Sequence, residues 1–302
     1  MQTKRSPADW GLFLLLSACW ASAFAMTKVA VGELPASVII PGRLMTGALI
    51  LWAVMLVRGD RLPPFSDRSS WLAIVGMGVA GTALPFYLIT IGQKTIDSSL
   101  AALLISGAPL FTAVLAHFYF HDERFTGFKI AGLATGFAGV ALLLGPDAMQ
   151  GLGNVDLIAQ LLVLGGAFCY AVNSIIARQA PRLPPIVLPV GFLTVASITS
   201  IPMLFWTNWD TVDPTKASLL CILGLGAVST GLAGILLMQL VARTSATFVA
   251  LTGYVIPIMS AVLGYFAFGE TQSWNAVAAF ILILAGVWFS QRQSRKRAAS
   301  SS

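Results

Sequence analysis

One cation sits where a charge is hardest to keep. Arg43 falls about two helical turns into an apolar run, and the surrounding VIIPGRLMTGALILW contains no carboxylate to balance it. A guanidinium in that setting has two uses. It can snorkel or hydrogen-bond to neighbouring carbonyls, or it can receive an anion such as a substrate carboxylate. The sequence leaves both open.

The remaining ionisable groups are placed differently. Asp9, Glu33, Asp97, Asp122, Glu123, Asp156 and Glu270 lie at the ends of apolar runs or between them. Asp97 is followed by two serines and reads as a helix N-cap. His117 and His121 stand beside Asp122 and Glu123, which favours an interfacial role over catalysis. There is no H-E-x-x-H, no pair of mid-run carboxylates and no serine and histidine pair, so an intramembrane enzyme is not expected. Cys19, Cys169 and Cys221 are scattered within apolar runs; they form no metal or disulfide pattern, and neither metal nor cofactor is expected. GMGVAG at Gly76 fits G-x-G-x-x-G, but a dinucleotide fingerprint needs a strand before it and an acid about 20 positions on. Close helix packing is the better reading.

The elements that carry these groups must be membrane helices. Hydrophobic residues make up 57% of the 302 and charged residues only 10%, with mean hydropathy +0.84. Breaks at charges, prolines and turn residues leave ten apolar runs of roughly the 20 residues that cross a bilayer. They cover about 8–30, 36–57, 69–91, 97–119, 126–145, 156–177, 185–206, 217–240, 245–268 and 274–291. The first run continues past Thr27 and Lys28 into the second, so it reads as a helix and not as a cleaved signal.

Of the 18 Lys and Arg residues, only Lys28, Arg43, Lys94 and Lys216 fall on or near the side opposite the N-terminus. That distribution predicts both termini in the cytoplasm of a multi-pass protein of the inner (plasma) membrane. QRQSRKR then anchors the C-terminal end at anionic lipid, and nucleic acid is not expected as a partner.

The two halves repeat. At an offset of 148, Pro41 meets Pro189, Gly76 and Gly78 meet Gly224 and Gly226, Thr82 meets Thr230, and PLFTAVLAHFYFHDE at Pro109 meets PIMSAVLGYFAFGE at Pro257. With five spans in each half, the second half enters the membrane from the opposite side. The expected architecture is all-α: ten transmembrane helices as two inverted five-helix repeats, residues 1–147 and 148–302, around a central cavity. Inverted repeats are a common basis for alternating access in secondary transporters. Candidate cavity residues are Trp20, Arg43, Tyr87, Ser106, Tyr170, Asn173, Gln239 and Tyr254, with Pro109 and Pro257 as paired hinges. The absence of a mid-span carboxylate favours a neutral or zwitterionic solute over a cation exchanged for protons.

The Trp20-containing first span ending at Lys28, the Pro35 to Arg43 entry into the second, and the Pro109 and Pro257 helices ending in Asp122-Glu123 and Glu270 together resemble the drug/metabolite transporter superfamily, in its ten-helix EamA-type branch. Within it the chain is most like YddG-type amino-acid exporters. The resemblance covers nearly the whole chain. It implies a pair of EamA repeats and export of a small-molecule solute, either hydrophobic or aromatic amino acids and related metabolites or, alternatively, drugs or other metabolites. One departure is plain: Gly191 stands where the first half has Arg43. Oligomeric state is not set by the sequence.

Overall fold

A computed structural model describes residues 6–121, 123, 125–145 and 155–300. Asp122 and several basic residues, including Lys4, Arg5 and Arg124, lie outside the described residues, as do the side chains of Arg292, Arg295, Lys296 and Arg297.

Among the described residues the helical segments group into ten rods: α1 Pro7–Val31, α2 Ala36–Arg58, α3 Arg68–Gly92, α4 Ser98–Tyr119, α5 Gly127–Leu144, α6 Val155–Gln179, α7 Val187–Phe205, α8 Lys216–Arg243, α9 Phe248–Phe268 and α10 Trp274–Ser300. Nine are long and apolar enough to cross a membrane, and the apolar part of α10 is the shorter Trp274–Ser290. The ends follow local chemistry. Ser6 and Asp9 form a capping box at α1, each side chain accepting from the other's backbone amide at 3.3 and 3.0 Å, with Pro7 in the first turn. Gly59 and Gly269 end α2 and α9 in the left-handed conformation, at φ 73° and 69°.

Two internal irregularities repeat with the sequence. α3 and α8 each contain a π-turn, at Val79–Ala83 and Ala227–Leu232, starting 148 positions apart. In each the threonine hydroxyl donates to the carbonyl five residues earlier, Thr82 to Met77 and Thr230 to Leu225, both at 2.9 Å. A π-turn leaves backbone groups less regularly bonded than an α-turn, and such turns concentrate at functional sites.

The two repeats do not pack as separate five-helix bundles. α1 packs on α8 and α9, and its counterpart α6 packs on α3 and α4; α2 packs on α8, and α7 on α3. The pairs α2–α7 and α5–α10 join a helix to its own counterpart. Most helix contacts therefore run between the halves, which interleave about a pseudo-twofold axis. Small residues permit the closest approaches: a Cβ on Gly78 would stand 2.8 Å from the Phe192 carbonyl oxygen and from Val195. GMGVAG is thus a helix seam, as its composition predicted.

Candidate functional site

Arg43 projects from α2 toward the π-turn of α8. Its Nε donates to Thr230 Oγ1 at 3.1 Å, and its guanidinium carbon lies 3.7 Å from the centre of the Phe86 ring on α3. Tyr170 on α6 is close enough to interact with it electrostatically. Four helices thus converge on one half-buried cation, and no carboxylate among the described residues forms an ion pair with it.

Two clefts open on the face where α4 and α6 end. One, of about 390 Å³, runs between Pro109 and Thr112 of α4 and Tyr170, Ser174 and Arg178 of α6. The other, of about 450 Å³, is mostly apolar, with Leu72, Leu115, Phe168, Val172 and Ile176 on its walls. At the mouth of the first, Glu123 bridges Lys129 and Arg178, the latter at 3.4 Å, while Arg178 also lies 4.0 Å over the Phe120 ring. His117 stacks on Phe125 and accepts from its backbone amide at 3.2 Å, so this histidine shapes the α4–α5 turn.

The opposite face is laced shut. The Glu270 carboxylate accepts from the Ser98 and Ser99 amides at 2.9 and 3.1 Å and from both hydroxyls. Burial pushes the Glu270 carboxyl upward, but these hydrogen bonds outweigh it and hold the group below the ordinary carboxylate range. Lys28 donates to the Ile96 carbonyl at 2.9 Å and faces Asp97 at 3.6 Å. Glu33 accepts from the Thr215 hydroxyl at 2.6 Å; bonds from the Thr215 and Ser218 side chains keep its carboxyl low as well. Asp97 occupies the N-cap position of α4 without capping it, because Glu270 fills that role from 172 positions away. The local pattern correctly marks a helix start but names the wrong acceptor.

The profile of the EamA-like transporter family matches twice, over residues 10–145 and 157–291. This chain belongs to the EamA-like transporter family. It is a multi-pass membrane transporter, and it is similar along nearly its whole length to other transporters. "Uncharacterized transporter YvbV" of Bacillus subtilis is 23% identical, covering 96% of this chain and 93% of the relative. "Uncharacterized inner membrane transporter YedA" of Escherichia coli K12 is 23% identical, covering 90% and 88%. A crystal structure shares the fold at TM-score 0.64 and 20% identity, covering 97% of this chain and 99% of that one.

In this EamA-like chain the candidate residues do not all meet. Tyr170 lies within electrostatic reach of Arg43 and shares its cleft with Pro109. Asn173, one turn beyond Tyr170, presses on Gly81 in the α3 π-turn, and its Oδ1 has no hydrogen-bond partner. Trp20 packs beside the Phe13, Leu16 and Phe248 cluster, and Tyr254 beside the one containing Leu104 and Leu110. Ser106 is buried, its hydroxyl donating to the Leu103 carbonyl at 2.5 Å. Tyr87 and Gln239 are exposed and line neither cleft. Thr230 and Phe86 were missed. The signal for Thr230 was its pairing with Thr82 in the repeat, which marks the π-turns; Phe86 carried none.

Proposed function

We propose that this transporter exports small hydrophobic or aromatic amino acids and related metabolites across the inner membrane by alternating access. The observation that carries the reading is the asymmetry between faces in a chain built from inverted halves: Glu270, Lys28 and Glu33 close one face, and a cleft reaches Tyr170 from the other. Inverted repeats can exchange those arrangements, opening one face as the other closes. With the Lys- and Arg-rich side in the cytoplasm, both termini lie there and the clefts face the cell interior. Ala108, Pro109, Ala113 and Tyr170 give the solute apolar and aromatic walls. Purified protein in liposomes should catalyse counterflow of labelled phenylalanine or leucine. If a broad panel of amino acids and metabolites shows no counterflow while lipophilic cations are moved, the chain is a drug exporter instead.

A further inference from the structure

We infer that Arg178 is the moving arm of a latch on the cleft face: Glu123 holds it while that face is open, and it transfers to the Thr244–Ser245 turn, at the entry of α9, when the face closes. The inference deepens the alternating-access reading above and rests on it. It starts from a contact on the closed face. Lys28, in the last turn of α1, donates to the Ile96 carbonyl at 2.9 Å and faces Asp97 at 3.6 Å. Asp97 holds the N-cap position of α4.

The repeat gives each of these groups a counterpart. Arg178 stands 150 positions after Lys28, in the last turn of α6. Thr244 and Ser245 stand 148 positions after Ile96 and Asp97, and Ser245 caps the segment Ala246–Ala250 through which the chain enters α9. Inverted halves that exchange conformations bring Arg178 onto Thr244 and Ser245, as Lys28 now lies on Ile96 and Asp97.

In the present state Arg178 is engaged elsewhere. Its Nη1 reaches Glu123 at 3.4 Å and its guanidinium lies over Phe120, while Glu123 also pairs with Lys129. A long, half-exposed ion pair of this kind is weak and can be exchanged at little cost. Arg178, Glu123 and Phe120 line the open cleft together with Ala250, five residues past Ser245. The cleft thus reaches from the end of α6 to the entry of α9, the two segments that the mirrored contact joins.

The mirror is imperfect, and the difference has a direction. Where Lys28 finds the Asp97 carboxylate, Arg178 finds only the Ser245 hydroxyl; where Glu270 finds the Ser98 hydroxyl, the counterpart is Ala246. The latch on the cleft face lacks an acid that the opposite one has, and Glu123 competes for its arm. Both differences favour the state in which this face is open.

Ser245→Asp supplies the missing acid. Asp is as good an N-cap as Ser, so the melting temperature should stay within a few degrees of the parent. The readout is labelling of the full chain in lipid nanodiscs by a membrane-impermeant maleimide. A background lacking Cys19, Cys169 and Cys221 carries one cysteine, either at buried position 96 on the closed face or at position 174 in the cleft. Closing the cleft face opens the other, so Ser245→Asp should raise the rate at 96 about threefold and leave the rate at 174 unchanged or lower. In an Arg178→Gln background the same change should alter the rate at 96 by less than about 1.5-fold. An unchanged rate at 96, an equal rise without Arg178, or parallel rises at 96 and 174 overturns the latch. Shifted labelling in a protein that moves no solute of the panel sinks the export reading and leaves the latch standing. Counterflow with unshifted labelling does the reverse.

Discussion

Glu270 and Ser99 meet at 2.5 Å although 171 residues separate them, joining the end of α9 to the first turn of α4. Gly269 makes the contact possible. Its left-handed backbone turns the chain so that the next residue points back at α4, where Gln272 also reaches Ser99 at 2.6 Å. A carboxylate at a helix N-terminus satisfies amides that have no partner within the helix and complements the dipole. The joint holds the end of α9 against the start of α4.

Removing the carboxylate should open the face. Glu270→Ala deletes several charge-assisted bonds and should shift the equilibrium by about 2 kcal/mol, roughly thirtyfold. A cysteine replacing the buried Ile96, in a background lacking Cys19, Cys169 and Cys221, reports it. Labelling by a membrane-impermeant maleimide should accelerate at least tenfold in Glu270→Ala. An unchanged rate would mean that the contact has no gating role.

The same joint sets a pH dependence. Glu270 and Glu33 are both held below their ordinary value of 4.5, so each favours the closed face above that value and loses its effect as pH falls through its depressed one. Labelling at position 96, taken relative to an exposed control cysteine at the same pH so that the loss of thiolate cancels, should therefore stay flat from about pH 8 to 5 and rise only below about 4.5. The rise should shrink in Glu270→Gln and vanish in Glu33→Gln/Glu270→Gln. A transition near neutrality would assign the gate to a different group.

How far the sequence leads depends on whether the relevant physics is local. Span limits such as Pro7–Val31 and Ala36–Arg58 agree with the apolar runs to within a residue or so, because bilayer thickness and polar breaks define both. The π-turns fall at the repeated threonines, whose hydroxyls bond to the carbonyl five residues back. Interleaving was hidden. In lipid every helix face is apolar, so hydropathy does not say that α1 prefers α8 and α9 to α2. Arg43 was legible as a lone charge, but its partner Thr230 is 187 positions away. Glu270 read as a charge at a span end for the same reason: its partners are distant in sequence.

Helix approach in the second self-paired contact gives a stability prediction. A Cβ on Gly286 of α10 would collide with the Gly136 and Gly132 backbone of α5, and backbone cannot step aside as a flexible side chain can. Gly286→Ala should destabilise the protein by about 2–3 kcal/mol and lower its melting temperature in detergent by several degrees. Gly11→Ala is the control. Nothing lies within 4 Å of its Cβ, and alanine should be neutral or gain about 0.5–1 kcal/mol. Equal melting temperatures for the two variants would refute the seam.

The two prolines at the matching offset are not equivalent, and this separates hinge from packing. α4 is broken between its segments Ser98–Ile105 and Ala108–Tyr119, and Pro109 stands in the first turn of the second; Pro257 is buried inside the continuous segment Thr252–Phe268. Alanine at position 109 regains an amide that can bond back across the break, which would fuse α4 into one rigid rod. Pro109→Ala should lower the maximal transport rate about tenfold, with half-saturation changed less than twofold and melting temperature unchanged or higher. The separation of rate from half-saturation matters because Pro109 also lines the cleft beside Tyr170. A solute-contact role would raise half-saturation instead, and a packing role would lower expression and rate together. Pro257→Ala should have the smaller effect on rate, since Pro257 lies more than a turn inside Thr252–Phe268, away from the break that α9 shows at Leu251.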